Sequence, residues 1–101
     1  MSHTHALASF LADLQYEHIP EAVLARTEDL FLDWIGSALA SQGARPIPLF
    51  ERYAERMGPA SGSARILVSG RSTSPYFAAL VNGASSHLVE QDDLHNSSVL
   101  H

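Results

Sequence analysis

The sequence predicts an all-α fold with at most one or two short strands. Apolar residues recur at intervals of three and four over most of the chain, which is the period of amphipathic helices. Gly43 and Pro46 mark a break between two such stretches, and Gly58 ends another. Only one short segment, ARILVSG, is β-branched enough for an extended strand.

The first two helices are predicted from their caps and apolar sides. Thr4 is expected to cap a helix that runs to about Leu14, and Pro20 suits the first turn of a second helix that runs to about Ser41. The apolar positions that define these helices are Leu7, Phe10, Leu11 and Leu14 in the first, and Val23, Leu24, Leu30, Phe31, Trp34, Ile35, Ala38 and Leu39 in the second.

The second half of the chain predicts two further helices around an extended piece. A third helix over 48–57 ends at Gly58, which we expect to adopt the left-handed conformation. Its Glu and Arg residues are most simply a solvated face with i,i+4 pairing. An extended segment is expected near 65–69, with no obvious second strand, and Ser74-Pro75 then opens the fourth helix.

The fourth helix is unusual because no Asp, Glu, Lys or Arg occurs from Ser72 to Val89. A helix without charge on any side is normally buried on all sides. Three short amphipathic helices can hardly enclose it, so we expect the chain to belong to a larger body, made by more polypeptide, a second subunit, or both. The simpler alternative is the core helix of a small bundle.

Composition excludes several classes of function. The formal net charge is −5, and the six cationic residues are arginines without a cluster, which argues against a nucleic-acid partner. The chain has no lysine for a Schiff base or a phosphate loop and no cysteine for a disulfide, a thiolate metal site or thiol catalysis. The N-terminus lacks the pattern of a signal peptide, and no apolar run reaches the ~18 residues of a membrane span. We therefore expect a cytoplasmic protein.

The last segment, EQDDLHNSSVLH, concentrates titratable groups. Asp92 and Asp93 are adjacent and so point apart, which lets one face a site while the other anchors structure. Carboxylates beside an apolar wall repel one another and lose hydration, which raises the pKa of at least one. With a nearby histidine they form a possible acid–base set for removing a proton next to a carboxylate.

Two other interpretations of this segment remain open. It can be a solvated acidic loop or helix cap, or a metal site, because its side chains are oxygen and nitrogen donors. The spacing matches neither a calcium loop nor an H-E-x-x-H zinc helix, and no second acidic residue follows Asp93 as a D-D-x-x-D magnesium motif requires.

The stretch AALVNGASSHLVEQDDLHNSSVLH resembles the N-terminal signature of the MmgE/PrpD family, which includes 2-methylcitrate dehydratase and cis-aconitate decarboxylase. FLDWIGSALAS is similar to an earlier helix of that family, and the resemblance covers essentially the whole chain, in order, from LASFLADL to the end. It implies that the chain is the N-terminal segment of a helical domain, without the remaining helices and the α+β lid domain. It also implies a homodimer and chemistry that needs no metal or organic cofactor.

The resemblance also implies the site residues. By position, the family's first loop aspartate falls on Glu90, its paired aspartates on Asp92 and Asp93, and its loop histidine on His101; His95 is assigned to substrate binding. Glu90 is one methylene longer than the family's aspartate, and Leu94 stands where many members have a threonine. These two departures leave the substrate undetermined.

Two functional hypotheses follow. In the first, the chain is the N-terminal portion of a lyase or isomerase for a small polycarboxylate, inactive alone, with Glu90 or Asp93 as base or orienting carboxylate and His101 as acid or substrate-binding group. Dehydration, decarboxylation and epimerisation all pass through a carbanion next to a carboxylate, so the sequence does not choose among them. In the second, the chain is a non-catalytic helical module whose uncharged helix packs against a partner.

Overall fold

The computed structural model describes residues 2–91, 94–95 and 97–98. It confirms the predicted fold class, because helices account for most of these residues. The elements are α1 (His3–Asp13), a 3-10 turn (Tyr16–His18), α2 (Glu21–Ala40), α3 (Ile47–Met57), β1 (Ala64–Arg65), β2 (Ser72–Thr73) and α4 (Pro75–Leu88).

The chain divides into two compact units, one up to Leu30 and one from Phe31 onward. In the first unit, Ser2 caps α1, since its Oγ accepts a hydrogen bond from the backbone N–H of His5 at 3.3 Å. The prediction that Thr4 is the cap was wrong, because the helix begins one residue before it. Every residue of α1 is exposed, including the apolar side chains on which its prediction rested.

The hydrophobic core lies in the second unit. It brings together side chains from α3, from the segment after β1 and from α4, with Phe50, Phe77, Ala84 and Leu88 packed around them. The buried members are Ile47, Ala54, Ile66, Val68 and Val81.

Helix α4 buries one side only. Ala78, Val81 and Ser85 are buried, and the Ser85 hydroxyl donates to the backbone carbonyl of Val81 at 2.8 Å, so no polar atom is left without a partner there. The opposite side, which includes Tyr76 and Gly83, is exposed. The predicted burial on all sides is therefore not reached among the described residues.

Strands β1 and β2 form an antiparallel hairpin in which Ala64 faces Thr73. The predicted extended piece near 65–69 was placed too late, because residues 67–69 are the turn of this hairpin, and the second strand was missed. Gly70 has a φ of +70°, which suits the return of the chain.

Gly58 does not have the left-handed conformation predicted for it. Its φ is −93° and its ψ 166°, which is extended backbone. A Cβ at this position would lie 2.6 Å from the Ala54 carbonyl oxygen and 2.8 Å from Cδ2 of Phe77. The glycine therefore serves the close approach of α4 to the end of α3 rather than a left-handed turn.

The charged face of α3 also differs from the expected pattern of i,i+4 pairs. Glu55 instead pairs with Arg71, with 2.9 Å between Oε1 and Nη1, across the space between α3 and the hairpin. Both side chains are about half exposed, so the pair contributes at most about 1 kcal/mol.

Within the part of the chain that the structure describes, no helix combines the length and apolar character needed to cross a membrane.

Candidate active site

The candidate site begins where α4 ends. The helix closes at Leu88, Val89 is its C-cap, and Glu90 is the next residue. The backbone N–H of Glu90 donates to the His87 carbonyl at 3.0 Å, which is one of the two hydrogen bonds of the Schellman motif. Half-buried Val89 and exposed Glu90 thus mark the point at which the chain leaves the core.

Glu90 has a φ of +52°, and no other described non-glycine residue has a positive φ. Glycine or asparagine normally occupies this position after a helix, because the left-handed conformation costs an ordinary residue about 1–2 kcal/mol. A glutamate therefore stands where its backbone is disfavoured. Such an outlier supports the hypothesis that the carboxylate itself is required.

His95 lies in a short turn further along the segment. The backbone N–H of Ser98 donates to the His95 carbonyl at 3.2 Å, and the Nδ1 atom of the ring lies 2.8 Å from Oγ of Ser98 and 3.3 Å from Oγ of Ser97. These contacts hold the ring orientation. Because Nδ1 is engaged, a hydrogen bond from His95 to a substrate would use Nε2.

The other three predicted site residues, Asp92, Asp93 and His101, lie outside the described residues. Glu90 and His95 are both described and both exposed, and no hydrogen bond joins them. Among the described residues, no three acidic or histidine side chains are grouped as a metal would require.

The described residues of this segment lie on the surface of the structure. Leu94 is 46% exposed, and Glu90 and His95 are exposed beside it. Three grooves lie elsewhere among the described residues and are lined by the first unit, by the outward side of α3, and by α3 together with the hairpin.

Sequence reasoning missed Asn82, which fixes the helix that leads into the site. Its Nδ2 donates to the Arg65 carbonyl and its Oδ1 accepts from the Leu67 backbone N–H, both at 2.9 Å. The sequence contains an indication of this role, because asparagine is disfavoured inside a helix unless its side chain has a specific hydrogen-bond partner.

Comparison with known proteins connects this segment to a family. A model of the MmgE/PrpD N-terminal domain matches residues 5–101. The chain is also 30% identical, over 100 residues, to the cis-aconitate decarboxylase-like protein oryM of Aspergillus oryzae; the match covers 97% of this chain and 20% of that protein. The chain thus spans about a fifth of the length of this curated relative. No solved structure gives a significant match.

Proposed function

Because the chain belongs to the MmgE/PrpD family, we propose that it is the N-terminal portion of a cofactor-independent lyase or isomerase for a small polycarboxylate. The observation that carries the proposal is the left-handed Glu90 at the end of α4. A residue held in a disfavoured conformation, in a segment rich in acids and histidines, is typical of a functional site. The name of the fungal relative favours a substrate of the cis-aconitate type.

The proposed chemistry is proton transfer at carbon. In a dehydration, a carboxylate takes the proton next to a substrate carboxylate while an acid protonates the departing hydroxyl. In a decarboxylation, the bond to CO₂ breaks, its electron pair moves into the substrate, and an acid protonates the carbanion. Glu90 or Asp93 would act as base or orienting carboxylate, and His101 as the acid or as a substrate ligand.

The proposal includes parts beyond this chain. A polycarboxylate substrate needs cationic partners, and the six arginines of the chain form no cluster in the sequence. We infer that further helices and a lid supply these cations and exclude water. We also infer that the assembly is a homodimer. A cytoplasmic location fits the absence of cysteine, because disulfides are rare in that reducing compartment. The 101-residue chain alone is then inactive.

The test is turnover of cis-aconitate and 2-methylcitrate by the full-length protein after chelator treatment. His101→Ala should lower kcat/KM by about 10²-fold or more, and Glu90→Gln and Asp93→Asn should also lower it. His5→Ala and Glu17→Gln, at exposed positions of the first unit, are the matched controls and should leave it unchanged. Near-normal turnover by all three site variants would show that the segment is structural.

The second candidate is a non-catalytic interaction module, and the exposed uncharged side of α4 is the observation in its favour. The same turnover assay distinguishes the two candidate functions. A full-length protein that turns over neither compound but binds a partner through α4 would support the module.

A further inference from the structure

Asn82 and Gly83 are neighbours in the second half of α4. An Asn-Gly pair is chemically reactive, because the side-chain amide carbon of the asparagine can reach the backbone nitrogen of the next residue. Glycine has no Cβ to hinder this approach, and its backbone is free to adopt the conformation that the approach requires. The other asparagine of the chain, Asn96, is followed by a serine. In an unfolded chain Asn82 is therefore the more reactive of the two.

The folded structure keeps the two reacting groups apart. Inside α4 the backbone N–H of Gly83 belongs to the helical hydrogen-bond pattern, which directs the nitrogen towards the preceding turn. The Asn82 amide is held at the hairpin by its two hydrogen bonds of 2.9 Å, to the Arg65 carbonyl and from the Leu67 N–H. Reaction therefore requires that α4 opens around Gly83 and that the amide leaves the hairpin.

Water has ready access to this part of α4. Gly83 is exposed, nothing lies within 4 Å of the place where a Cβ would stand, and Asn82 is half-buried. The hairpin that holds the amide has strands of only two residues. Short elements with exposed backbone hydrogen bonds open at lower free energy than the core does, so the contact between α4 and the hairpin is the barrier to reaction.

We infer that Asn82 is a site of spontaneous deamidation, controlled by opening of the contact between α4 and the hairpin. The Gly83 nitrogen loses its proton to a base and forms a bond to Cγ of Asn82, while the bond from Cγ to Nδ2 breaks and ammonia leaves after taking up a proton. Water then opens the resulting five-membered ring at either carbonyl, which leaves an aspartate or an isoaspartate at position 82. The net change is the loss of ammonia and the gain of water.

The reaction removes the contact that protects against it. A carboxylate has no N–H to donate to the Arg65 carbonyl, and an isoaspartate adds a methylene to the backbone of α4, which interrupts the helical pattern. The modified chain therefore opens more readily than the original, and the modification is a permanent record of opening. This inference is independent of the proposed catalysis.

The experiment is incubation of the chain in mildly basic buffer, either native or in guanidinium chloride, followed by peptide mass spectrometry of position 82. Reaction should be at least about tenfold faster in guanidinium chloride, because the native chain must first open. Gly62→Ala, which disturbs the hairpin, should raise the rate in native buffer. Gly83→Ala is the matched control, since it leaves Asn82 in place and adds a Cβ beside the reacting nitrogen, and it should slow the reaction in guanidinium chloride.

Each outcome decides one step of the inference. Equal rates in the two conditions would overturn protection by the fold, and a chain that stays unmodified at position 82 in guanidinium chloride would overturn the site. A Gly62→Ala chain that is folded by circular dichroism and reacts no faster than the original would overturn control by the hairpin. Asn82→Asp should unfold at a lower urea concentration than the original chain, and an unchanged midpoint would overturn the loss of the contact.

Discussion

Asn82 joins two parts of the fold through a single side chain. Both polar atoms of its amide are used, one as acceptor from the Leu67 N–H and one as donor to the Arg65 carbonyl. The bonds tie the β1 end of the hairpin to α4, the helix from which the candidate site emerges. Helix propensity alone disfavours asparagine here, so the tertiary hydrogen bonds outweigh a cost of less than about 1 kcal/mol.

Asn82→Ala should lower the free energy of unfolding by about 1–3 kcal/mol, because it leaves the partly buried Leu67 N–H without its acceptor. Ser86→Ala is the matched control on the same helix, since the Ser86 hydroxyl bonds only to the local Gly83 carbonyl and its loss should change stability by at most about 0.5 kcal/mol. Urea unfolding of both variants gives the comparison. If both substitutions change the free energy of unfolding by the same amount, the Asn82 hydrogen bonds make no specific contribution to stability.

At the scale of elements, the helices could be predicted and the hairpin could not. The helices were predictable because apolar residues recur at helical intervals, whereas the one-sided burial of α4 around Val81 was not, since a helix without charge shows no preferred side. The hairpin strands have two residues each, which is too short for an alternating pattern. They are fixed instead by distant contacts, such as the bond from Gln42 Nε2 to the Val68 carbonyl at 2.9 Å.

The candidate site shows the same limit. The resemblance names candidate residues, because residue identity and order are visible in a sequence, and their roles stay a prediction. The left-handed backbone of Glu90 was not predictable, since glutamate gives no signal for it. Burial of the segment also depends on what covers it, and within the described residues it is exposed.

Two glycine substitutions test how the elements are held together. In Gly62→Ala the new Cβ would clash with the Thr73 carbonyl oxygen, a backbone atom, so the hairpin must shift and the free energy of unfolding should fall by more than about 2 kcal/mol. In Gly83→Ala nothing lies within 4 Å of the new Cβ on the exposed side of α4, so helix propensity should raise stability by up to about 1 kcal/mol. Thermal or urea unfolding of both variants decides the matter, and a neutral Gly62→Ala would contradict the hairpin geometry.

At the scale of the whole molecule, several large apolar side chains are exposed among the described residues. Phe10 and Phe31 are each 60% exposed, and one side of uncharged α4 is open. Large exposed apolar areas mark surfaces that are covered in the working state. The match to the fungal relative covers a fifth of that protein's length.

We therefore expect the 101-residue chain alone to show no turnover of cis-aconitate or 2-methylcitrate, because neither a lid nor a cationic clamp is available to bind and desolvate the substrate. The measurement is product formation by the purified chain, with the full-length protein assayed in parallel. Turnover by the chain alone would show that its own residues complete the site.

The central claim is that Glu90 is kept for its carboxylate against the preference of its backbone, and Glu90→Gly tests it most directly. Glycine adopts a positive φ without strain, so the free energy of unfolding should stay the same or rise by about 1 kcal/mol. In the full-length protein, kcat/KM should nevertheless fall by about 10²-fold or more. Glu90→Ala should lose the same activity without the gain in stability. A Glu90→Gly protein that is more stable and still turns over its substrate at a near-normal rate would contradict the claim.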